Sequence, residues 1–224
     1  MTPKPLPMNR WDFGRDDWPV DDDFVGVGAD LEPGTLVAAY ATGMFPMPVE
    51  PGGPVGWWSP VRRGVLQLDR LRITRSLRKT MRHFTVTIDT AFDEVVTACA
   101  SPVREGAWID DQIASAYSRL HDLGWAHSIE VRDAGGALVG GLYGVAIGGL
   151  FAGESMFHRE RDASKAALVG LVALLSDEHA ERRLVDTQWL TPHLASLGVE
   201  EWPREKYLGA LPEILETPLP ARWR

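Results

Sequence analysis

His127 to Phe157 reads HSIEVRDAGGALVGGLYGVAIGGLFAGESMF, and its spacing decides the fold class. Apolar and β-branched stretches are interrupted at Asp133-Ala134-Gly135-Gly136 and at Gly148-Gly149. Both interruptions are turn signals, so the segment predicts three consecutive strands, His127–Arg132, Ala137–Ile147 and Gly149–Met156, joined by hairpins. Asp162 then stands where it would cap a helix over ASKAALVGLVALLSDEHA, which is apolar on nearly all sides through Leu175 and so belongs against a sheet. LVDTQWL, from Leu184 to Leu190, reads as a further strand, and PHLASLG as a short helix. An antiparallel meander, a buried helix and a return strand together predict a mixed α+β sandwich.

Upstream of the meander, AFDEVVTACA and DDQIASAYSRLHDLG carry helical periodicity, the second ending at Gly124 as a C-cap, and FTVTID alternates like a strand. A helix is predicted over Thr74 to His83. Ile73, Leu77 and Met81 share one face, while Arg75, Arg78, Lys79 and Arg82 centre on nearly the opposite one. The first 60 or so residues are rich in Pro, Gly and Asp, with helix expected only where LVAAYATGMF follows Pro33-Gly34-Thr35. The segment from Pro48 to Pro60 is read as irregular. It marks the expected boundary between a small loop-rich N-terminal domain, 1–60, and a main domain, 61–224.

Of the 224 residues, 45% are hydrophobic and 24% charged, enough for a sizeable core. No run approaches the roughly 18 apolar residues that span a bilayer, and the N-terminus lacks an apolar signal core, so a cytoplasmic protein with no membrane partner is expected. The single cysteine, Cys99, makes no internal disulfide, and the six histidines are dispersed, so neither a metal nor another cofactor is expected. The net charge of -8 argues at first against nucleic acid. Its distribution argues otherwise. Residues 1–33 carry three basic and eight acidic side chains, whereas residues 61–83 carry eight basic ones (Arg62, Arg63, Arg70, Arg72, Arg75, Arg78, Lys79, Arg82) against Asp69 alone. Such asymmetry suits a polyanion partner, although a merely solvated basic helix would look the same.

Three patterns bear on acyl-transfer chemistry. Arg132, Gly135 and Ala137 fit the R-x-x-G-x-A loop that holds a coenzyme A pyrophosphate, but between two strands they read more simply as a hairpin turn. Ser155, Asp186 and His193 follow the serine-hydrolase order, yet Phe157 replaces the glycine of a nucleophile elbow. A serine hydrolase, or a polyanion-binding protein without enzymatic activity, stays open as the alternative. Asp186 and Gln188, one residue apart on a predicted strand, would share a face. A carboxylate beside a carboxamide can hold the amide and leave its carbonyl oxygen to orient an amine. Glu154, at the end of an apolar strand, is either a site residue or an edge charge.

The runs LVAAYATGMFP, WWSPVRRGVL, ITRSLRK, GAWI, AHSIEV, VGGLYGV, FAGESMF, ASKAAL, LVDTQ and HLASLG, taken in order, resemble the leucyl/phenylalanyl-tRNA-protein transferase family. The resemblance implies a main domain with an N-acetyltransferase-like (GNAT-like) fold that works without coenzyme A. It implies a ribosome-independent aminoacyltransferase that moves Leu or Phe, less often Met, from Leu-tRNA or Phe-tRNA to proteins with N-terminal Arg or Lys, marking them for degradation. A monomer is expected. By motif, Asp186 and Gln188 match the catalytic pair, with the aspartate polarising the glutamine as its carbonyl accepts a proton from the attacking α-amino group. Glu154 matches the site glutamate that meets the cationic acceptor. Leu142, Phe151, Leu168, Leu171, Leu175 and Val185 resemble the donor side-chain pocket, Trp108 and Met47 the adenosine-binding positions, and Arg75, Arg78, Lys79 and Arg82 a tRNA-backbone surface. The sequence departs from the family's usual pattern at Met47, where Trp commonly follows Phe-Pro, and at His158, where Ser commonly follows Glu-Ser-Met-Phe.

Overall fold

A computed structural model describes residues 2–50, 52–101 and 108–224. Its N-terminal part holds β1 (Phe24–Val27), α1 (Pro33–Thr42), β2 (Phe45–Pro48) and β3 (Val55–Trp58). There follow β4 (Arg62–Gln67), α2 (Arg75–Thr80), β5 (Thr85–Ile88), α3 (Phe92–Cys99) and α4 (Asp111–Asp122). The meander is β6 (Ala126–Arg132), β7 (Leu138–Ile147) and β8 (Leu150–His158), then α5 (Ala163–Leu175) and β9 (Leu184–Gln188). The chain closes with α6 (Pro192–Ser196), β10 (Glu200–Pro203) and α7 (Arg204–Glu216).

Seven strands form one sheet in the order β10-β4-β9-β8-β7-β6-β5, antiparallel throughout except for the parallel pair β8 and β9. A parallel pair needs a long crossover, and α5 supplies it. Alternation along the strands covers both faces. Tyr143 and Val145 of β7 join a cluster with Phe92, Val95 and Tyr117, whereas Leu142 and Ala146 join one with Leu168 and Leu171 of α5. The mixed α/β class read from the meander is therefore the class observed. Among the described residues, no helix is long and apolar enough to cross a membrane.

Several local expectations change. The segment from Pro48 to Pro60 contains β3, the central strand of a second, three-stranded sheet with β1 and β2. Strands of four residues between prolines and glycines are too short for alternation to register. Tyr40, Phe45 and Trp57 from this region pack in the same cluster as Phe92, Tyr117 and Tyr143. The helix expected over Thr74 to His83 is a six-residue α2, capped by the Thr74 hydroxyl, that tightens into a 3-10 turn over Met81–His83. Asp162 stands at the start of α5 but in the left-handed region, φ 67°, and gives its carboxylate to Lys165 rather than to the helix backbone. Gly106 and Ala107 of the GAWI motif lie outside the described residues.

Candidate active site

The parallel ladder between β8 and β9 ends at Ala152 opposite Asp186. Beyond it a cavity of about 220 Å³ opens, lined at its polar rim by Gly153, Glu154, Thr187 and Gln188. Two bulges aim these residues. On β8, Ser155 pairs with Tyr143 and Gly153 with Gly144, leaving Glu154 as the extra residue. On β9, Asp186 pairs with Val65 and Gln188 with Gly64, leaving Thr187 as the extra one. A bulge bends the strand and redirects side chains, here on both strands where they part. Gln188 completes the turn with φ 57°. A Cβ on the facing Gly64 would lie 2.8 Å from Thr187 Oγ1, so only glycine admits this close approach.

Asp186 is fully buried, and every contact it makes holds it still. Arg63 donates from Nε to Oδ1 at 2.8 Å and from Nη2 to Oδ2 at 2.6 Å. The Tyr207 hydroxyl donates to Oδ2 at 2.9 Å, and the Gln188 backbone N–H donates to Oδ1 at 2.9 Å. Arg63 is itself fixed by the Gly43 carbonyl and lies over the rings of Phe45 and Tyr207. Burial alone would weaken its charge, but the Asp186 carboxylate overrides this and holds the guanidinium above its ordinary pKa. The side-chain contact expected between Asp186 and Gln188 is thus replaced by one through the backbone. The bulge at Thr187 takes the pair out of simple strand alternation.

The amide of Gln188 turns to Glu154 instead, with Nε2 3.4 Å from Oε1. The Tyr117 hydroxyl donates to Glu154 Oε2 at 2.7 Å and is hydrogen-bonded to the Tyr40 hydroxyl. Burial raises the Glu154 carboxyl most, the Tyr40 and Tyr117 hydroxyls oppose that, and the Asp186 charge adds to it, leaving the group at about 7. Burial likewise lifts both tyrosines far above their ordinary values, so they stay protonated donors.

Below the rim the cavity is apolar. Leu142, Phe151, Leu168, Leu171 and Val185 line it together, joined by Met156 and Leu194. Leu175 does not; it is buried in the cluster beneath. Ser155 and His193 also line the cavity. Asp186, however, is committed to Arg63 and Tyr207, so the hydrolase arrangement of carboxylate, imidazole and hydroxyl is not assembled. The R-x-x-G-x-A segment closes the β6–β7 hairpin, with the Asp133 carboxylate accepting from the backbone of Gly135 and Ala137. Met47 on β2 and Trp108 are both half-buried against the cluster containing Phe45 and Trp57. Arg75, Arg78, Lys79 and Arg82 are exposed, but Arg63, counted with that basic segment from sequence, is buried in the site. Tyr207, Tyr117 and Tyr40 were not singled out from sequence, because a buried tyrosine reads there as ordinary core.

The family model for the leucyl/phenylalanyl-tRNA protein transferase N-terminal domain matches residues 29–61, and that for leucyl/phenylalanyl-tRNA protein transferase matches residues 65–212. The chain belongs to the leucyl/phenylalanyl-tRNA-protein transferase family. A leucyl/phenylalanyl-tRNA-protein transferase of Aromatoleum aromaticum is 47% identical over 96% of this chain and 94% of its own. One from Tolumonas auensis is 47% identical over 88% and 84%, and one from Thiobacillus denitrificans 49% over 89% and 88%. The structure of L-PGS from Bacillus licheniformis overlaps 69% of this chain and 64% of its own with TM-score 0.43 and 10% identity. A tandem GNAT protein from the clavulanic acid biosynthesis pathway overlaps 81% and 59% with TM-score 0.37 and 17% identity. Neither structural overlap bears on the chemistry. Glu154, Asp186 and Gln188 lie inside the larger transferase match, and Arg63 falls between the two matched segments.

Proposed function

We propose that the protein transfers Leu or Phe, and less readily Met, from aminoacyl-tRNA to the α-amino group of proteins with N-terminal Arg or Lys, in the cytoplasm and as a monomer. Family membership supports the reaction, and the observation that carries the site assignment is the apolar cavity ending at Gln188 and Glu154. In this reading the donor side chain enters the cavity, with Leu142, Phe151, Leu168, Leu171 and Val185 about it. A pocket of this kind rejects poorly fitting shapes by only about 1 to 3 kcal/mol per methylene, in keeping with a donor set rather than a single donor.

The ester carbonyl then lies at the rim. The acceptor nitrogen attacks it, the new C–N bond forms, the bond to the ribose oxygen breaks, and the proton lost by nitrogen ends on that oxygen. Because Gln188 Nε2 faces Glu154, its Oε1 is the end left to accept a hydrogen bond from the attacking amine. An α-amino group of ordinary pKa about 7.7 to 8.0 needs orienting more than it needs a strong base. Asp186 and Arg63 act by holding the Gln188 backbone, and Glu154 pairs with the acceptor's cationic group. Trp108 and Met47 take the terminal adenosine.

The test is label transfer from Phe-tRNA to a peptide with N-terminal Arg, expected only when both are present. Gln188→Ala and Asp186→Asn should each lower kcat with little loss of tRNA affinity, since they act at the reacting centre. Full turnover in Gln188→Ala would remove the proposed role.

Arg75, Arg78, Lys79 and Arg82 then meet tRNA phosphates. Neutralising one contacting residue should reduce the magnitude of the log-log salt slope of tRNA binding by about 1, alike for different tRNAs. A fourfold neutralisation that leaves affinity and slope unchanged would assign this face to solvent.

A further inference from the structure

Phe151, fully buried, lines the cavity three residues along β8 from Glu154 at the rim, and it is held from beyond the cavity wall. On β7, Gly144 leaves the room its ring needs, since a Cβ there would lie 2.7 Å from Phe151 Cε1. Trp223, in a 3-10 turn after α7, stacks on it with ring centroids 5.8 Å apart and planes at 22°. Trp223 is fully buried and is itself fixed twice. Its Nε1–H donates to Asp89 Oδ2 at 3.1 Å, and its ring stacks on His127 at 4.1 Å. His127 Nδ1 lies 2.9 Å from the same Oδ2; as a carboxylate only accepts, that nitrogen carries the proton. Asp89 Oδ1 accepts from the Ser128 backbone. The three rings form a continuous stack from β6 to the cavity lining, and Asp89, just after β5, holds two of them. Trp223 lies beyond the segment matched by the family model, residues 65–212, and does not line the cavity.

We propose that Trp223 is a specificity-determining positioning residue, which sets the depth of the donor pocket by bracing Phe151 from behind. The inference rests on the assignment of this cavity to the donor side chain. Packed interiors move little, so the position of a lining ring is set by whatever fills the space on its far side. A smaller residue at 223 frees that space, Phe151 retreats, and the deepened pocket loses contact with the shorter donor before it loses contact with the longer one.

Two variants test this. Trp223→Leu should shift the ratio of kcat/KM for Phe-tRNA over Leu-tRNA upward by about tenfold, the lower end of what one methylene is worth in an apolar pocket. Trp223→Phe, which keeps a stackable ring and the fold, should shift it in the same direction by less. The KM for the acceptor peptide should not move in either. Leu120→Ala, a core truncation in the other cluster, should lower stability and leave the ratio unaltered. A proportional loss with both donors in the Trp223 variants would reduce Trp223 to a structural role and overturn the proposal. Crystal structures of the variants read the same effect without turnover: a displaced Phe151 and a larger cavity support it, and an unmoved Phe151 refutes it. Failure of the transferase reading would show separately, as no label transfer by the unaltered protein.

Discussion

Arg63→Leu is expected to lower the unfolding free energy by about 3 to 5 kcal/mol and transfer by at least about 100-fold. The stability loss follows from what remains behind, since Asp186 would keep its burial and lose both guanidinium bonds. An uncompensated buried charge is among the costliest single-site defects. The activity loss follows from geometry. The Asp186 carboxylate holds the Gln188 N–H where the backbone takes φ 57°, and a displacement of about 1 Å at a positioned group can cost about 100-fold. The double variant Arg63→Leu/Asp186→Leu removes both charges. It should be more stable than Arg63→Leu alone and no more active, a non-additivity that identifies a shared unit. Denaturant unfolding and label transfer on the same preparations check both halves. A loss under about 1 kcal/mol in Arg63→Leu would show that water reaches Asp186 and that the carboxylate is not held as described.

Arg63 also shows where the sequence stops being legible. Within a segment of eight basic residues it is indistinguishable from its neighbours by charge, and only the strand it occupies separates it. In β4, exposed Arg62 pairs with Pro203 at one edge, and the Arg63 side chain turns into the core toward β9 and α7. The pattern RRGVLQ gives no strong alternation, so neither the strand nor the inward arginine could be read. The meander was legible because its turns are marked by glycine pairs and its strands are long. The extra residues at Glu154 and Thr187 were not, because a bulge changes register without changing composition. For the same reason the sequence shows Asp186 and Gln188 as a pair but not that the contact between them runs through the Gln188 backbone N–H. Glu154 reads from sequence as an edge charge or a site residue; its place on the cavity rim and its link to Tyr117 of α4, and through it to Tyr40 of α1, come from the packing of distant helices, which composition does not show.

The largest pH effect should come from Glu154. Its carboxyl ordinarily titrates near 4.5 and is raised by burial to about 7 in the fold, so the folded protein binds this proton more tightly than the unfolded chain does. The sign follows from linkage. The contribution to stability is fully present below about 4.5, declines as pH rises, and is lost above about 7, a swing of about 3 kcal/mol. His127 works in the opposite sense, since burial lowers its pKa against the pull of Asp89, and it weakens the fold as pH falls below its ordinary 6.5. Glu154→Gln isolates the first effect, because both proteins share His127. The stability of Glu154→Gln relative to the unaltered protein should therefore improve from pH 5 to pH 9 by about 2.5 kcal/mol, most of the full swing, as measured by denaturant unfolding at each pH. Activity should show the complementary trend. Under the proposed role of Glu154 in pairing with a cationic acceptor, its anionic form is the one that binds, so the acceptor KM of the unaltered protein should fall as pH rises through about 7, while Glu154→Gln keeps a high KM throughout. Parallel stability curves for the two proteins would mean that Glu154 titrates normally, and the raised carboxyl would then have no part in acceptor binding. Parallel curves in stability together with a KM step near 7 in both proteins would move that titration to the acceptor's own α-amino group, whose pKa of about 7.7 to 8.0 lies close enough to produce it.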